Sequence, residues 1–269
     1  MHGLLDVQFD RQAEKTVVSH LRQRSPLRVL RSLYPEGDSP SHLYVLYAAG
    51  GILEGDAVEV NLHLSPYAEA VVTTPAATKV HPMEAGEGRQ IIRITLERGA
   101  TLEYLQEPVL PFMGAAFHQE VDIFLEAGAS LFWTDILGPG RHEKGEAFAY
   151  RRYENRMSIR DPEGLIAQES FRLIPEEDVL GVMGVMEGYT HYGALYLCCA
   201  DAIREEMLRQ IREIHARGLL WGATLLARRG IVVRALAHET PAIQELFNRV
   251  WTLFRLEVMR RPLPPLRRY

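Results

Sequence analysis

Cysteine is nearly missing from this chain: Cys198 and Cys199 are the only two in 269 residues. Neighbours in sequence cannot build the disulfide framework of a small secreted domain, and they lack the C-x-x-C spacing that lets two thiolates reach one ion. None of the ten histidines forms H-x-x-x-H or H-E-x-x-H, so no closed structural zinc site is expected, and His63, His81, His118, His142 and His191 read as separate surface or core histidines. Excess positive charge is also lacking. A net charge of −5 argues against a general affinity for phosphate backbones, so nucleic acid is not an expected partner. No window approaches the roughly 18 to 20 apolar residues of a membrane span, and the start MHGLLDVQFDRQAEK has neither the basic opening nor the apolar core of a signal peptide. A cytoplasmic, reducing location is the expectation. The Walker pattern is absent, which excludes nucleotide hydrolysis by the chain itself, and no serine stands in G-x-S-x-G.

What is present is apolar material in short pieces. With 47% hydrophobic residues the chain can bury a sizeable core. Residues 58–64, V-E-V-N-L-H-L, alternate with period two and describe a strand with one buried face. Ile91, Ile92, Ile94 and Leu96, then Leu102, Tyr104 and Leu105, then Val121, Ile123 and Leu125, then Leu131, Phe132 and Trp133 form further short runs separated by Gly, Ala or Pro. That is all-β spacing. Three segments beginning at Leu64, Leu96 and Leu125 share the pattern L-x-x-[G/Y]-A-x-[A/L], at offsets of 32 and 29 residues. A period near 30 fits stacked β units that cannot bury their apolar faces alone; the same pattern also fits ordinary hairpin chemistry.

After residue 190 the period changes. Residues 200–217 place Ile203, Met207, Ile211 and Ile214 at helical spacing, with Asp201 as the expected cap and Gly218 as the terminator. Thr240-Pro241 reads as an N-cap and first-turn pair before Ile243, Leu246, Phe247, Val250, Trp251, Phe254 and Val258 on one wide face. Between the helices, 219–236 reads as a hairpin around Arg228-Arg229-Gly230. The predicted fold is mainly β, with solenoid-like stacked strands and hairpins and two amphipathic helices in the C-terminal half. One domain over 1–259 is expected, followed at 260–269 by RRPLPPLRRY, a basic proline-rich tail of extended character. An unpacked tail is the plain reading of such a terminus, and ordering on an acidic partner the sharper one.

Candidate chemistry is sparse. Gly50-Gly51-x-x-x-Gly55 has the look of a phosphate loop, yet a strand follows it where a helix N-terminus is needed. Thr73, Thr74, Thr78 and Lys79 suit an anion, or a hydrogen-bonded corner between strands. Asp56 beside Gly55, Glu107 before Pro108 and Glu146 after Gly145 are carboxylates at fixed turns; capping is the usual work of such residues, weak coordination of a divalent ion the alternative.

Five blocks in order, PLRVLR (26–31), GGILEGD (50–56), TTPAATKVHPM (73–83), QEPVLPFMGA (106–115) and GPGRHEKGEAF (138–148), resemble the urease accessory protein D family, also called H. The resemblance implies a non-enzymatic assembly factor with a solenoid-like body. It implies binding to accessory protein F, recruitment through it of the GTPase accessory protein G, contact with apo-urease, and two copies of the chain in the full complex. No tightly bound cofactor is implied, only transient nickel within an internal passage. On this reading Asp56, Glu107 and Glu146 are passage carboxylates, each a weak ligand among waters. Lys79 and Arg141 fix corners, and Arg260, Arg261, Arg267 and Arg268 belong to a partner-binding tail. The runner-up is a β-solenoid carbohydrate hydrolase or lyase using paired carboxylates, where the separation of acid and base decides the mechanism. A plain structural subunit is a third reading.

Overall fold

The computed structural model describes residues 1–264. The chain opens with a hairpin, β1 (His2–Gln12) and β2 (Lys15–Arg24), whose alternation turns Leu5, Val7 and Phe9 inward. Short strands β3 (Leu27–Arg28), β4 (Ser41–Tyr44) and β5 (Leu46–Tyr47) lead into the repeating part. Three coils follow: β6 (Ala57–Leu64), β7 (Glu69–Thr73) and β8 (Thr78–Val80); then β9 (Gly88–Leu96), β10 (Thr101–Leu105) and β11 (Val109–Pro111); then β12 (Ala116–Leu125) and β13 (Ser130–Leu137). A hairpin of β14 (Arg152–Asp161) and β15 (Gly164–Leu173), then β16 (His191–Cys198), helix α1 (Asp201–Arg212), the hairpin β17 (Leu219–Leu225) and β18 (Gly230–Ala237), and helix α2 (Thr240–Phe254) complete the fold.

The repeat is a true stacking unit. Leu64, Leu96 and Leu125 are direct partners across the parallel strands β6, β9 and β12. Beyond the turn, Ala70, Leu102 and Leu131 pair across β7, β10 and β13. Each turn repeats the same bonds: Glu97 N–H donates to Leu64 O at 3.0 Å and Glu126 N–H to Leu96 O at 2.8 Å. The variable [G/Y] position is left-handed in all three copies, with φ of 60° at Tyr67, 68° at Gly99 and 72° at Gly128. The motif is therefore turn chemistry and coil period together, because each turn has to reverse the chain at the same height.

Two large sheets result, ordered β15-β14-β12-β9-β6-β1-β2 and β17-β18-β16-β13-β10-β7-β4, with β8 and β11 joined to the second and β3 and β5 paired apart. Their facing sides share one core. The far side of the second sheet is covered by α1 and α2, which makes a second core with Val71, Leu105, Phe132, Ile136, Leu195 and Leu197. Strand β13 is thus buried on both faces. That explains why SLFWTDIL is buried along its whole length: Leu131 and Trp133 look into the first core and Phe132 and Ile136 into the second. On α2 the residues at helical spacing, Ile243, Leu246, Phe247, Val250, Trp251 and Phe254, are all buried, each contributing about 1.5–3 kcal/mol.

The helix ends differ from the sequence expectation. Ala200 occupies the N-cap of α1, and the Asp201 carboxylate instead accepts the Arg229 N–H of the β17–β18 turn at 2.8 Å. The helix stops at Arg212, where Glu213 N–H turns back to Gln210 O and Ile211 O, because the next residues must carry the chain to β17. Glu239 caps α2, with Thr240 already inside the helix. After Phe254 the helix widens into a π-turn, Arg255–Met259, which swings Arg255 into the protein. There its guanidinium, fully buried, pairs with Glu36 and lies 3.6 Å from Glu103. Glu103 also accepts the Trp251 indole N–H, and Glu36 meets His42 at 2.8 Å. Removing one partner of such a buried pair typically costs about 3–5 kcal/mol. The root of the basic tail is packed, not loose: Arg261 reaches Glu69 and Ser39 O, and Pro264 is buried.

Gly51 has φ +143°, and a Cβ there would stand 2.5 Å from Lys79 O, whereas Gly55, at φ +73°, has open space. Gly55→Ala should cost about 1 kcal/mol from backbone strain alone, and Gly51→Ala at least about twice that because the opposing atom is backbone. Chemical denaturation of both variants checks the order; equal costs would contradict the close approach.

Candidate functional site

The glycine-rich stretch forms a corner bound edge-on to β8. Ile52 N–H donates to Lys79 O at 2.8 Å and His81 N–H to Ile52 O at 2.9 Å. Asp56 is buried in this corner, not open: Oδ1 is 2.6 Å from the Met1 ammonium, Oδ2 accepts Leu53 N–H at 3.0 Å, and the Tyr47 hydroxyl is 3.4 Å away. Burial, then the Asp56 charge, push the Tyr47 hydroxyl pKa up. Lys79 contributes backbone to the corner, pairing with Leu110, while its side chain is exposed.

Glu107 stands where β10 leaves the sheet. Its N–H donates to Thr74 Oγ1 at 2.8 Å, and its Oε2 accepts from Gln244 Nε2 on α2 at 3.0 Å. The third corner is closed by Arg141, which grips Glu146 with a two-pronged contact and lies over the Phe112 ring at 4.9 Å. Asp56, Glu107 and Glu146 are therefore each held by different residues. Among the described residues no group of three or more His, Cys, Asp or Glu side chains is arranged to hold a metal ion. Arg260 follows the π-turn and lies near Glu257; Arg267 and Arg268 fall outside the described residues.

A different set of polar residues converges between the two sheets, unnoticed in the sequence. Asp135, on the inward phase of β13, accepts from Gln106 Nε2 at 3.2 Å, from Gln119 Nε2 at 2.8 Å and from Asn155 Nδ2 at 3.3 Å. Gln119 and Asn155 are direct partners across β12 and β14. Burial, then the Glu169 charge, push the Asp135 carboxyl up to about 7, against the pull of its amide donors. Among the described residues no cationic side chain pairs with Asp135. Gln119 Oε1 and the Trp133 indole N–H are buried without a protein partner. Glu169 of β15 accepts the Tyr192 hydroxyl at 2.6 Å and Arg234 at 3.2 Å, and Arg234 also reaches the Tyr196 hydroxyl.

These contacts give a line of polar groups through an otherwise apolar interior. Gln106, next in the chain to the Glu107 that binds Gln244 on α2, meets Asp135, Gln119 and Asn155, and Asp135 feels the charge of Glu169, which is paired with the half-exposed Arg234. The sequence did carry a signal for part of it: Gln119 and Asn155 occupy the inward, apolar phase of their strands. Asp135 had none, since its strand shows no alternation.

A family model described as UreD urease accessory protein matches residues 1–269. The chain is similar to a urease accessory protein UreD of Bacillus sp. strain TB-90, 32% identical over 259 residues and covering 96% of this chain and 95% of that one. It is also 31% identical over 261 residues to a urease accessory protein UreD of Trichormus variabilis, covering 97% and 92%. A urease accessory protein UreD of Cenarchaeum symbiosum is 28% identical over 272 residues, covering 99% and 95%.

The raised Asp135 carboxyl has a consequence for stability. An unfolded aspartate titrates near about 3.9, so the fold favours the protonated form; this contribution is fully present below about pH 4 and is lost as pH rises through about 7. Asp135→Asn should flatten the decline of the thermal midpoint between about pH 4 and 7. Glu103, also raised to about 7 by burial, keeps its own slope in that variant. Identical pH profiles for wild type and Asp135→Asn would show that Asp135 does not titrate there.

Proposed function

We propose that this chain, which belongs to the urease accessory protein UreD family, is a non-catalytic maturation factor for urease that conducts nickel along its polar interior. It binds apo-urease and accessory protein F, gathers the GTPase accessory protein G through F, and enters the assembly in two copies. The observation that carries the passage is Asp135: a buried carboxyl among carboxamides, with no cationic side chain paired to it among the described residues. A buried carboxyl of this kind is costly unless something compensates it, and a passing dication does so while the amide oxygens replace part of its water shell. Weak, neutral oxygen donors favour transit over capture.

Glu107 is the carboxylate at one end of the line and Glu169 the one at the other. At Glu169 the ion competes with Arg234, so that end favours release over retention. Asp56 and Glu146, already engaged by the Met1 ammonium and by Arg141, hold the corners in shape. The basic segment from residue 260 contacts accessory protein F, with Arg260 exposed and Arg261 bound to Glu69 at its root.

Loading of apo-urease with nickel, reconstituted from the chain with accessory proteins F and G and GTP, tests the passage. Asp135→Asn should leave assembly of the complex intact and slow nickel incorporation at least about tenfold, the scale of losing one charge at a transit site. Normal loading by this variant would remove the passage. Separately, truncation after residue 259 should weaken pull-down of accessory protein F, and binding at full strength would remove the tail from that contact.

A further inference from the structure

The connection from β15 to β16 breaks the usual composition of a surface loop. Residues 179–188 read V-L-G-V-M-G-V-M-E-G, and solvent meets much of that apolar content: Met183 is 90% exposed and Val179 71%, with Val182 and Val185 also exposed. Isolated exposed apolar residues are ordinary; four within seven positions on one loop are not.

The loop is also built to hold them there. Leu180 and Met186 are buried beneath the tip, and Met186 N–H closes on Leu180 O at 2.9 Å. Glu187 carries a double role, its N–H donating to Val182 O and its carboxylate accepting Gly184 N–H at 3.2 Å. On one side Ile174 N–H is fastened to the Asp178 carboxylate at 2.6 Å. On the other Thr190 is tied to Ala237 O and His238 O, and the Tyr189 ring packs on His238 at 4.7 Å. The tip is presented in advance, so little ordering entropy opposes its use as an anchor.

Its position and charge select the occupant. Thr190 leads directly into β16, where Tyr192 holds Glu169 at the outer end of the polar line. Asp178 lies near enough to Tyr150 to raise its hydroxyl pKa after burial has done so. Between 174 and 190 stand Glu176, Glu177, Asp178 and Glu187 with no lysine or arginine. Four carboxylates oppose an anionic lipid surface and favour a protein socket with a basic rim.

We infer that the loop tip Val182-Met183-Gly184-Val185 is a docking anchor that seats in a basic-rimmed apolar pocket of apo-urease, over the Glu169 end of the polar line. This rests on the maturation reading above. An ion leaving at Glu169 has to be received without loss to bulk water, and a preformed apolar knob on the connection that leads into β16, whose Tyr192 holds Glu169, is suited to exclude water. Four side chains make a hot spot, not a whole interface, so single substitutions should act strongly.

The test is the affinity of purified apo-urease for the chain in complex with accessory protein F, with wild type, Met183→Asp and the double reversal Glu176→Lys/Glu177→Lys. Met183→Asp should weaken apo-urease binding at least about tenfold with the thermal midpoint and the contact to F unchanged. The charge reversal should weaken it less and flatten its dependence on salt. Unaltered apo-urease affinity in both variants overturns the inference. So does a Met183→Asp effect confined to F binding, to self-association of the chain, or to binding of phosphatidylcholine–phosphatidylserine vesicles, each of which assigns the tip elsewhere. Wild type that does not bind apo-urease at all brings down the maturation reading, and the docking with it.

Discussion

Parallel register between coils is the constraint on which the rest of this molecule depends. Because β6, β9, β12 and β14 pair residue for residue, whatever stands inward in one coil stands beside the inward residue of the next. Leucines at 64, 96 and 125 become one apolar row. By the same rule Gln119 comes to stand beside Asn155, and two amides that would each be a costly defect alone share the burden with Asp135. The register that builds the core also builds the polar line within it.

The second sheet is squeezed between two cores, and its charged residues show how tightly. Glu103 on the helix-facing side and Asp135 on the inward side are both buried carboxyls pushed up to about 7 by burial. They differ in what compensates them. Glu103 has the Arg255 guanidinium and the Trp251 indole and so fastens the end of α2 to the body. Among the described residues Asp135 has amide donors and no paired cation, so its carboxyl is compensated by hydrogen bonds alone. Gln244 joins the two layers, since it binds Glu107 from α2 next to where Gln106 enters the interior.

The irregular segments gather at the margins of the stacked strands. The apolar tip at Met183, the packed root of the tail at Arg261 and the corner at Glu107 all sit on connections, while the strands beneath them are fixed by backbone pairing. Loops carried on a stacked scaffold can differ in composition while the strands beneath keep the buried polar groups in place.

The sequence by itself determined the periodic parts. The alternation of 58–64 gave β6, the spaced L-x-x-[G/Y]-A-x-[A/L] segments gave the coil turns, and the helical spacing from Ile243 to Phe254 gave the buried face of α2, because these patterns are local properties of strand, turn and helix. Tertiary structure alone decided which polar residues converge. Asp56 and Glu146 stand in recognisable motifs yet are engaged by Met1 and Arg141. Asp135, hidden in an unpatterned strand, meets Gln106, Gln119 and Asn155. Period within one strand tells which face a side chain occupies; only the stacking of distant coils tells what that face looks at.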